Sequence, residues 1–198
     1  MIEVEKKFIL TKKQEDNLIK DAEFVGEVEN TDIYYDDLNY SLTKQDLWLR
    51  NRNGRFELKV PMNGFKNNHE LDRYRELETE EEILDYFKSD FDTVKEFLKD
   101  KEYNSFCTIV TKRRKYKKEG FNIDLDVADF GYTLGEVEFL TSDELSLEDV
   151  TKSIFDFAKR HDLEIVNVYG KVEEYLRRNN LEHFDILVNL GIIKTILE

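Results

Sequence analysis

Charged residues fall at every second position in one short segment of this chain after another, and that alternation limits the folds open to it. The first case is IEVEKKF, Ile2 to Phe8, where Glu3, Glu5 and Lys7 alternate with Val4, Lys6 and Phe8. A strand points successive side chains to opposite faces, so this one puts two carboxylates and an ammonium on one side. The pattern returns in LWLRNRN (Trp48, Arg50 and Arg52 in phase) and in RFELKV (Glu57 and Lys59). In NIDLDVADF, Asp124 and Asp126 face one way while Ile123, Leu125 and Val127 face the other. GEVEFL repeats it with Glu136 and Glu138, and TIVTKRRKY sets Thr111 and Arg113 in phase, opposite Lys112 and Arg114. A solvated sheet face accounts for any one such strand. It accounts less well for the set. Glu3/Glu5, Asp124/Asp126 and Glu136/Glu138 are like-charged, and like charges brought opposite one another on neighbouring strands destabilise a sheet.

A divalent cation turns that repulsion into a ligand set. Hard oxygen donors, with neither histidine nor cysteine among them, suit Mg²⁺, Mn²⁺ or Ca²⁺ rather than Zn²⁺. Arg50, Arg52, Lys59 and Arg113 supply forks and point charges for phosphate. With both sets on inward faces, the strands describe a charged lumen and a metal-dependent polyphosphate site.

The rest of the chain is consistent with that picture. Its 198 residues suffice for one substantial domain, and 40% hydrophobic and 13% aromatic content excludes a disordered chain even with 37% charged residues. A net charge of −14 argues against non-specific binding of nucleic acid or anionic membrane. The lone cysteine, Cys107, excludes an internal disulfide and reads as core. There is no basic-then-apolar leader and no apolar run near the roughly 20 residues that span a bilayer. The expectation is a soluble, cytoplasmic monomer.

Strand patterns cover Ile2–Ile9, Glu23–Asp36, Leu47–Arg52, Arg55–Pro61, Asp72–Glu78, Tyr103–Lys115, Gly120–Phe130 and Thr133–Leu140. Asn53-Gly54 marks a hairpin between two of them. Helices are expected from the Thr11 cap through Ala22, after the Thr79–Glu82 capping box, over Asp92–Lys101, and after Ser146. One or two more are expected from about residue 171 to Gly191. The fold class is α+β: about eight mostly antiparallel strands, a number that closes a barrel, with helices inserted between them. No phosphate-binding glycine loop or nucleophile elbow is present. His69, His161 and His183 are scattered and have no assigned role.

The E-x-E-x-K strand of Glu3, Glu5 and Lys7 resembles the hallmark of the CYTH domains, or triphosphate tunnel metalloenzymes. TDIYYDD, LWLRNR, FELKVP, YRELET, VTKRRKY, IDLDVADFGYTLGEVEFL and GKVEEYL look like the segments of its thiamine triphosphatase branch, in order, over most of Met1–Arg178. The resemblance implies one CYTH domain over 1–198, an eight-stranded antiparallel β-barrel, the triphosphate tunnel, with surrounding helices. It implies Mg²⁺ or Mn²⁺ as cofactor. Asp124, Glu136 and Glu138 would hold a first metal, and Glu3 and Glu5 a second together with the attacking water, with Asp126 a further acidic member. Lys7, Arg50, Arg52, Arg113 and Lys171 would grip phosphate oxygens. Lys59 and Tyr34 would form an acid/base pair, Trp48 would stack on the organic ring, and Glu76 matches another acidic lumen position. Asn51 stands where a third basic residue is expected, and by its phase should face outward. The function implied is release of the terminal phosphate of a small-molecule triphosphate, thiamine triphosphate first. Alternatives are an inorganic or nucleoside triphosphatase and a non-catalytic triphosphate-binding module.

Overall fold

Asn53 and Gly54 both take positive φ, 51° and 91°, as a tight two-residue hairpin turn requires. Asn51, expected to face outward, accepts the Gly54 N–H at 2.9 Å through its side chain. This turn joins β3 (Trp48–Arg52) to β4 (Arg55–Pro61) with Arg52 opposite Arg55, so every in-phase residue of the two strands falls on one side. The computed structural model describes residues 2–62, 71–141 and 147–196. His69 and Ser146 lie outside the described residues.

The other strands are β1 (Ile2–Phe8), β2 (Glu23–Asp36), β5 (Asp72–Leu77), β6 (Asn104–Lys118), β7 (Phe121–Ala128) and β8 (Thr133–Thr141). They close into an antiparallel barrel in the order β1-β5-β4-β3-β2-β6-β7-β8, as expected for eight strands. β2 and β6 are the long walls, and their pairing shifts register at Phe24/Gly26 and Tyr34/Tyr35, bulges that let the ribbon bend into the barrel. Some ends differ from the sequence expectation. β7 stops at Ala128 because the next residues turn, with Gly131 at φ 79° donating to the Ala128 carbonyl at 3.0 Å. β6 runs on to Lys118, opposite Phe121.

The helices cover the outside. α1 (Lys12–Ile19) starts from the Thr11 capping box and ends three residues earlier than expected, as Asp21 takes a left-handed φ of 59°. α2 (Glu80–Tyr86) starts from the Thr79–Glu82 box, and α3 (Val94–Asp100) follows. Both pack on Leu49, Phe56 and Leu58, the outer faces of β3 and β4. α4 (Leu147–Arg160) lays Leu147, Val150, Ile154, Phe157 and Ala158 on Ile2, Val4, Ile123, Leu125 and Val137. Burying such side chains is worth about 1.5–3 kcal/mol each, and it fixes which face of β1, β7 and β8 is left to line the lumen. α5 (Lys171–Asn179) and α6 (Leu181–Asn189) pack near Tyr34, Trp48, Cys107 and Ile109. Among the described residues no helix is long and apolar enough to cross a membrane.

Candidate active site

With Val4, Lys6 and Phe8 turned out, Glu3, Glu5 and Lys7 point into the barrel. The Lys6 Nζ donates to the Val166 carbonyl at 2.7 Å on the outside, which pins the strand's rotation. The same period carries Tyr34 from β2, Trp48, Arg50 and Arg52 from β3, Lys59 from β4, Glu76 from β5, Arg113 from β6, Asp124 from β7, and Glu136 and Glu138 from β8 into one cavity of about 270 Å³. Lys171 joins them from the first turn of α5. Of the anticipated site residues only Asp126 does not line the cavity. It is buried behind Arg113 and Lys171, and both its oxygens are engaged.

Glu5 and Glu138 are directly opposite on β1 and β8. With Glu3 they place three buried carboxylate oxygens within 4.8 Å of one another. Burial, then the charges of Glu3, Asp124 and Glu5, push the Glu138 carboxyl up to about 8. Burial also raises Glu5, although Lys7 and Lys59 pull against it. An all-carboxylate set held at this mutual cost fits a hard divalent cation. Among the described residues Asp124 Oδ1 is also buried without a hydrogen-bond partner, a further oxygen suited to such an ion. The grouping differs from the one the resemblance implied: Glu138 stands with Glu3 and Glu5, while Asp124 and Glu136 are tied to cations.

Those ties are dense. Arg113 forks onto Asp126 with two 2.7 Å hydrogen bonds and also reaches Asp124 and Glu136. Lys171 bridges Asp126 and Glu136, the latter at 2.8 Å. Burial works against the Glu136 carboxylate, but Lys171, Arg113 and Lys7 outweigh it and hold it well below the usual range. Arg52 forks onto Asp32 at 2.7 and 2.9 Å, and Arg50 binds Glu57 at 2.8 Å. Lys59 contacts Glu3 and, at 3.3 Å, Glu76, which faces it across β4 and β5. Burial disfavours its ammonium, yet Glu3, Glu5 and Glu76 raise it above its ordinary range, so Lys59 stays protonated. Tyr34, its expected partner, instead accepts from Arg50 at 3.5 Å.

Several residues entered the site without a sequence signal strong enough to pick them out. Asp72 binds Lys7, which also holds Glu5. Asp46, at φ 60°, accepts from both the Trp48 indole N–H and the Tyr74 hydroxyl at 2.8 Å. Glu173 lines the cavity from α5 and caps that helix by accepting the Gly170 N–H at 2.7 Å. Asp32 and Glu57 orient the two arginines of β3. The phase of Glu57 with Lys59 was the available clue; Asp32 lies in TDIYYDD, a segment already singled out.

The comparisons with known proteins agree with this architecture. The family model of the CYTH domain matches residues 1–168. Proteins called thiamine-triphosphatase, from Macaca fascicularis and Homo sapiens, are 32% and 33% identical over 178 and 176 residues, spanning 78% of this chain and 74% of each of theirs. A solved protein of Pyrococcus horikoshii OT3 superposes with a TM-score of 0.65 at 20% identity, over 89% of this chain and 99% of its own. A putative adenylyl cyclase from Hippeastrum, described as having a dominant triphosphatase activity, gives a TM-score of 0.59 at 15% identity, over 89% and 94%. A closed eight-stranded barrel with this charged lumen, and a family match over residues 1–168, place the chain in the CYTH domain family.

Proposed function

We propose that this lumen hydrolyses the terminal phosphate of an organic triphosphate in the presence of Mg²⁺, with Mn²⁺ as the alternative metal, and that thiamine triphosphate is the substrate. The observation that carries the reading is the Glu3–Glu5–Glu138 trio in the same cavity as Arg50, Arg52, Arg113, Lys7 and Lys171, with Trp48 in its wall. The relatives called thiamine-triphosphatase support thiamine as the organic group.

Phosphoryl transfer asks a protein mainly for positioning and charge neutralisation. The arginines and lysines already stand in place, braced by Asp32, Glu57 and Asp126, so they lose little freedom when phosphate oxygens replace carboxylates around them. Glu3, Glu5 and Glu138 would hold one cation, and Asp124 with Glu136 another. A divalent cation bound there supplies charge neutralisation of the phosphates and acidifies water. Protonated Lys59 would donate a hydrogen bond to the oxygen that leaves with the diphosphate as its bond to the terminal phosphorus breaks, while a water oxygen bonds to that phosphorus and the water's protons leave with the released phosphate and to solvent. Trp48, 6% exposed and fixed by Asp46, offers a ring face to the organic group.

The test is phosphate release from thiamine triphosphate, tripolyphosphate and ATP, with and without Mg²⁺. We expect kcat/KM for thiamine triphosphate to exceed the others by about 100-fold, roughly 2.7 kcal/mol. Preference for tripolyphosphate would make this a general triphosphatase, and no metal-dependent turnover would leave a binding module.

A further inference from the structure

Among the described residues the cavity wall carries seven lysines and arginines, and six of them are bound to carboxylates: Lys7, Arg50, Arg52, Lys59, Arg113 and Lys171. The seventh is Lys115. It is part-buried on the lumen face of β6, one lumen position beyond Arg113, and among the described residues it makes neither an ion pair nor a hydrogen bond. Its partner on β2 is Gly26, which brings no side chain over it and, its chain neighbours aside, has no atom within 4 Å of where a Cβ would stand. Its partner on β7 is Asp124. Burial raises the Asp124 carboxyl, and Arg113 and, more weakly, Lys115 pull against it, so the ammonium lies near that carboxylate without bonding to it. An ammonium so placed takes an oxyanion by giving up water alone, whereas each of the other six must first let go of a carboxylate.

Lys115 also stands far from the ring wall. On β2, Gly26 pairs with Lys115 and Tyr34 pairs with Arg50, and these two positions are eight residues, about 25 Å of strand, apart. α5 reaches into the lumen through Lys171, which binds Asp126 and Glu136, while Asp124 and Glu138 lie one lumen position further along β7 and β8. Beyond them Leu140, 43% exposed, and the exposed Glu78 line the same cavity, so the lumen opens a second time on the side away from α5. With the organic group at Trp48, a triphosphate runs past Arg50 and Arg113 and points its terminal phosphate toward this opening. We infer that Lys115 is the ligand of an orthophosphate subsite there, which takes the inorganic phosphate freed by hydrolysis and lets it leave while the diphosphate ester is still held at Trp48. The inference rests on the proposed reading of the lumen as a triphosphatase with the organic group at Trp48.

Trp48 is the sole tryptophan of the chain, so its fluorescence reports thiamine diphosphate binding without turnover and shows that a variant's lumen is intact. The experiment follows orthophosphate by its ³¹P signal as the intact protein is titrated in Mg²⁺ with thiamine diphosphate saturating. The wild type should still bind orthophosphate, since the two products occupy different ends. Lys115→Met should weaken orthophosphate about 10-fold and thiamine diphosphate less than about twofold. Lys112→Met, which removes the same charge from the exposed outer face of β6, should change neither. Mutual exclusion of the two products, equal losses of both in Lys115→Met, or orthophosphate binding that Lys115→Met leaves intact would overturn the inference. So would tetrapolyphosphate weakened by Lys115→Met with orthophosphate unchanged, because Lys115 would then extend the grip on a longer chain. Turnover separates the inference from the enzymatic reading. Orthophosphate held through Lys115 by a protein that hydrolyses no triphosphate sinks only that reading. Thiamine triphosphate hydrolysis inhibited by orthophosphate equally in wild type and Lys115→Met sinks only the inference.

Discussion

Arg113 is bound to three carboxylates, Asp124, Asp126 and Glu136, and is only 11% exposed. The lumen without ligands is thus held together by its own two ligand sets neutralising each other. Removing one side is costly, since a buried charge without its partner destabilises by about 3–5 kcal/mol. Arg113→Met should lower stability by that order, and Mg²⁺ should recover part of the loss by standing in for the guanidinium. Urea unfolding with and without Mg²⁺ measures both, and an unchanged midpoint would refute the pairing. Trp48→Ala belongs to the same scale. Loss of ring stacking is worth about 1–3 kcal/mol, so kcat/KM for thiamine triphosphate should fall about 10- to 100-fold, and much more than for tripolyphosphate. Equal losses on both substrates would remove Trp48 from ring recognition. Individual lumen residues were legible where a strand's period of two names the face, as for Arg50, Glu136 or Glu5. Partners were not. Period says which way Lys7 points but not that Asp72, 65 residues away, meets it. Asp46 escaped notice because it sits in a left-handed turn outside any strand.

Between elements, the pairing that matters to the site without touching it joins α6 to the 3-10 turn at Thr43–Gln45, which leads into Asp46 and β3. Thr43 donates its hydroxyl to Asp36 at 2.7 Å, so His183 Nε2, 2.7 Å away, must donate to Thr43. That leaves Nδ1 as the unprotonated nitrogen, buried and without a partner among the described residues. A second proton there has no acceptor, and burial, with a smaller push from Lys44, lowers His183 from 6.5 to about 4. The sign of the linkage follows. Between about pH 6.5 and pH 4 the unfolded chain carries the proton and the folded one does not. The contribution is therefore intact above pH 6.5 and lost on acidification, by about 3 kcal/mol at most. His183→Gln should lose less stability than the wild type between pH 7 and pH 4.5 in urea midpoints. Identical pH slopes would mean that the imidazole already ionises in the fold. Strand limits and capping boxes could be read in advance because turn residues and Thr-x-x-Glu/Gln spacings are local. The docking of α6 could not, because a lone histidine in an amphipathic helix carries no record of the turn it will meet.

Across the whole molecule, the net charge of −14 poses the question of how a polyanion enters at all. Two sets read from the sequence bear on it, basic residues for phosphate and carboxylates for a divalent cation: the cavity wall carries seven lysines and arginines and nine carboxylates among the described residues. With every carboxylate ionised the lumen is slightly acidic inside an acidic surface, a balance that the proton held by Glu138 near neutral pH only partly offsets, and a phosphate chain gains at most an exchange of one set of anions for another around the same arginines. Divalent ions change the sign. One bound cation brings the formal balance of the wall to neutrality and a second makes it positive, which ties substrate affinity to metal uptake. Tripolyphosphate followed by Trp48 fluorescence should therefore bind at least about 100-fold more weakly in EDTA than in Mg²⁺ at equal ionic strength. Added NaCl should not restore it, because screening weakens the exposed surface charges far more than those enclosed by the barrel. Tight binding in EDTA would show that the arginines and lysines suffice alone, and the Glu3–Glu5–Glu138 trio would then need another explanation than a cation.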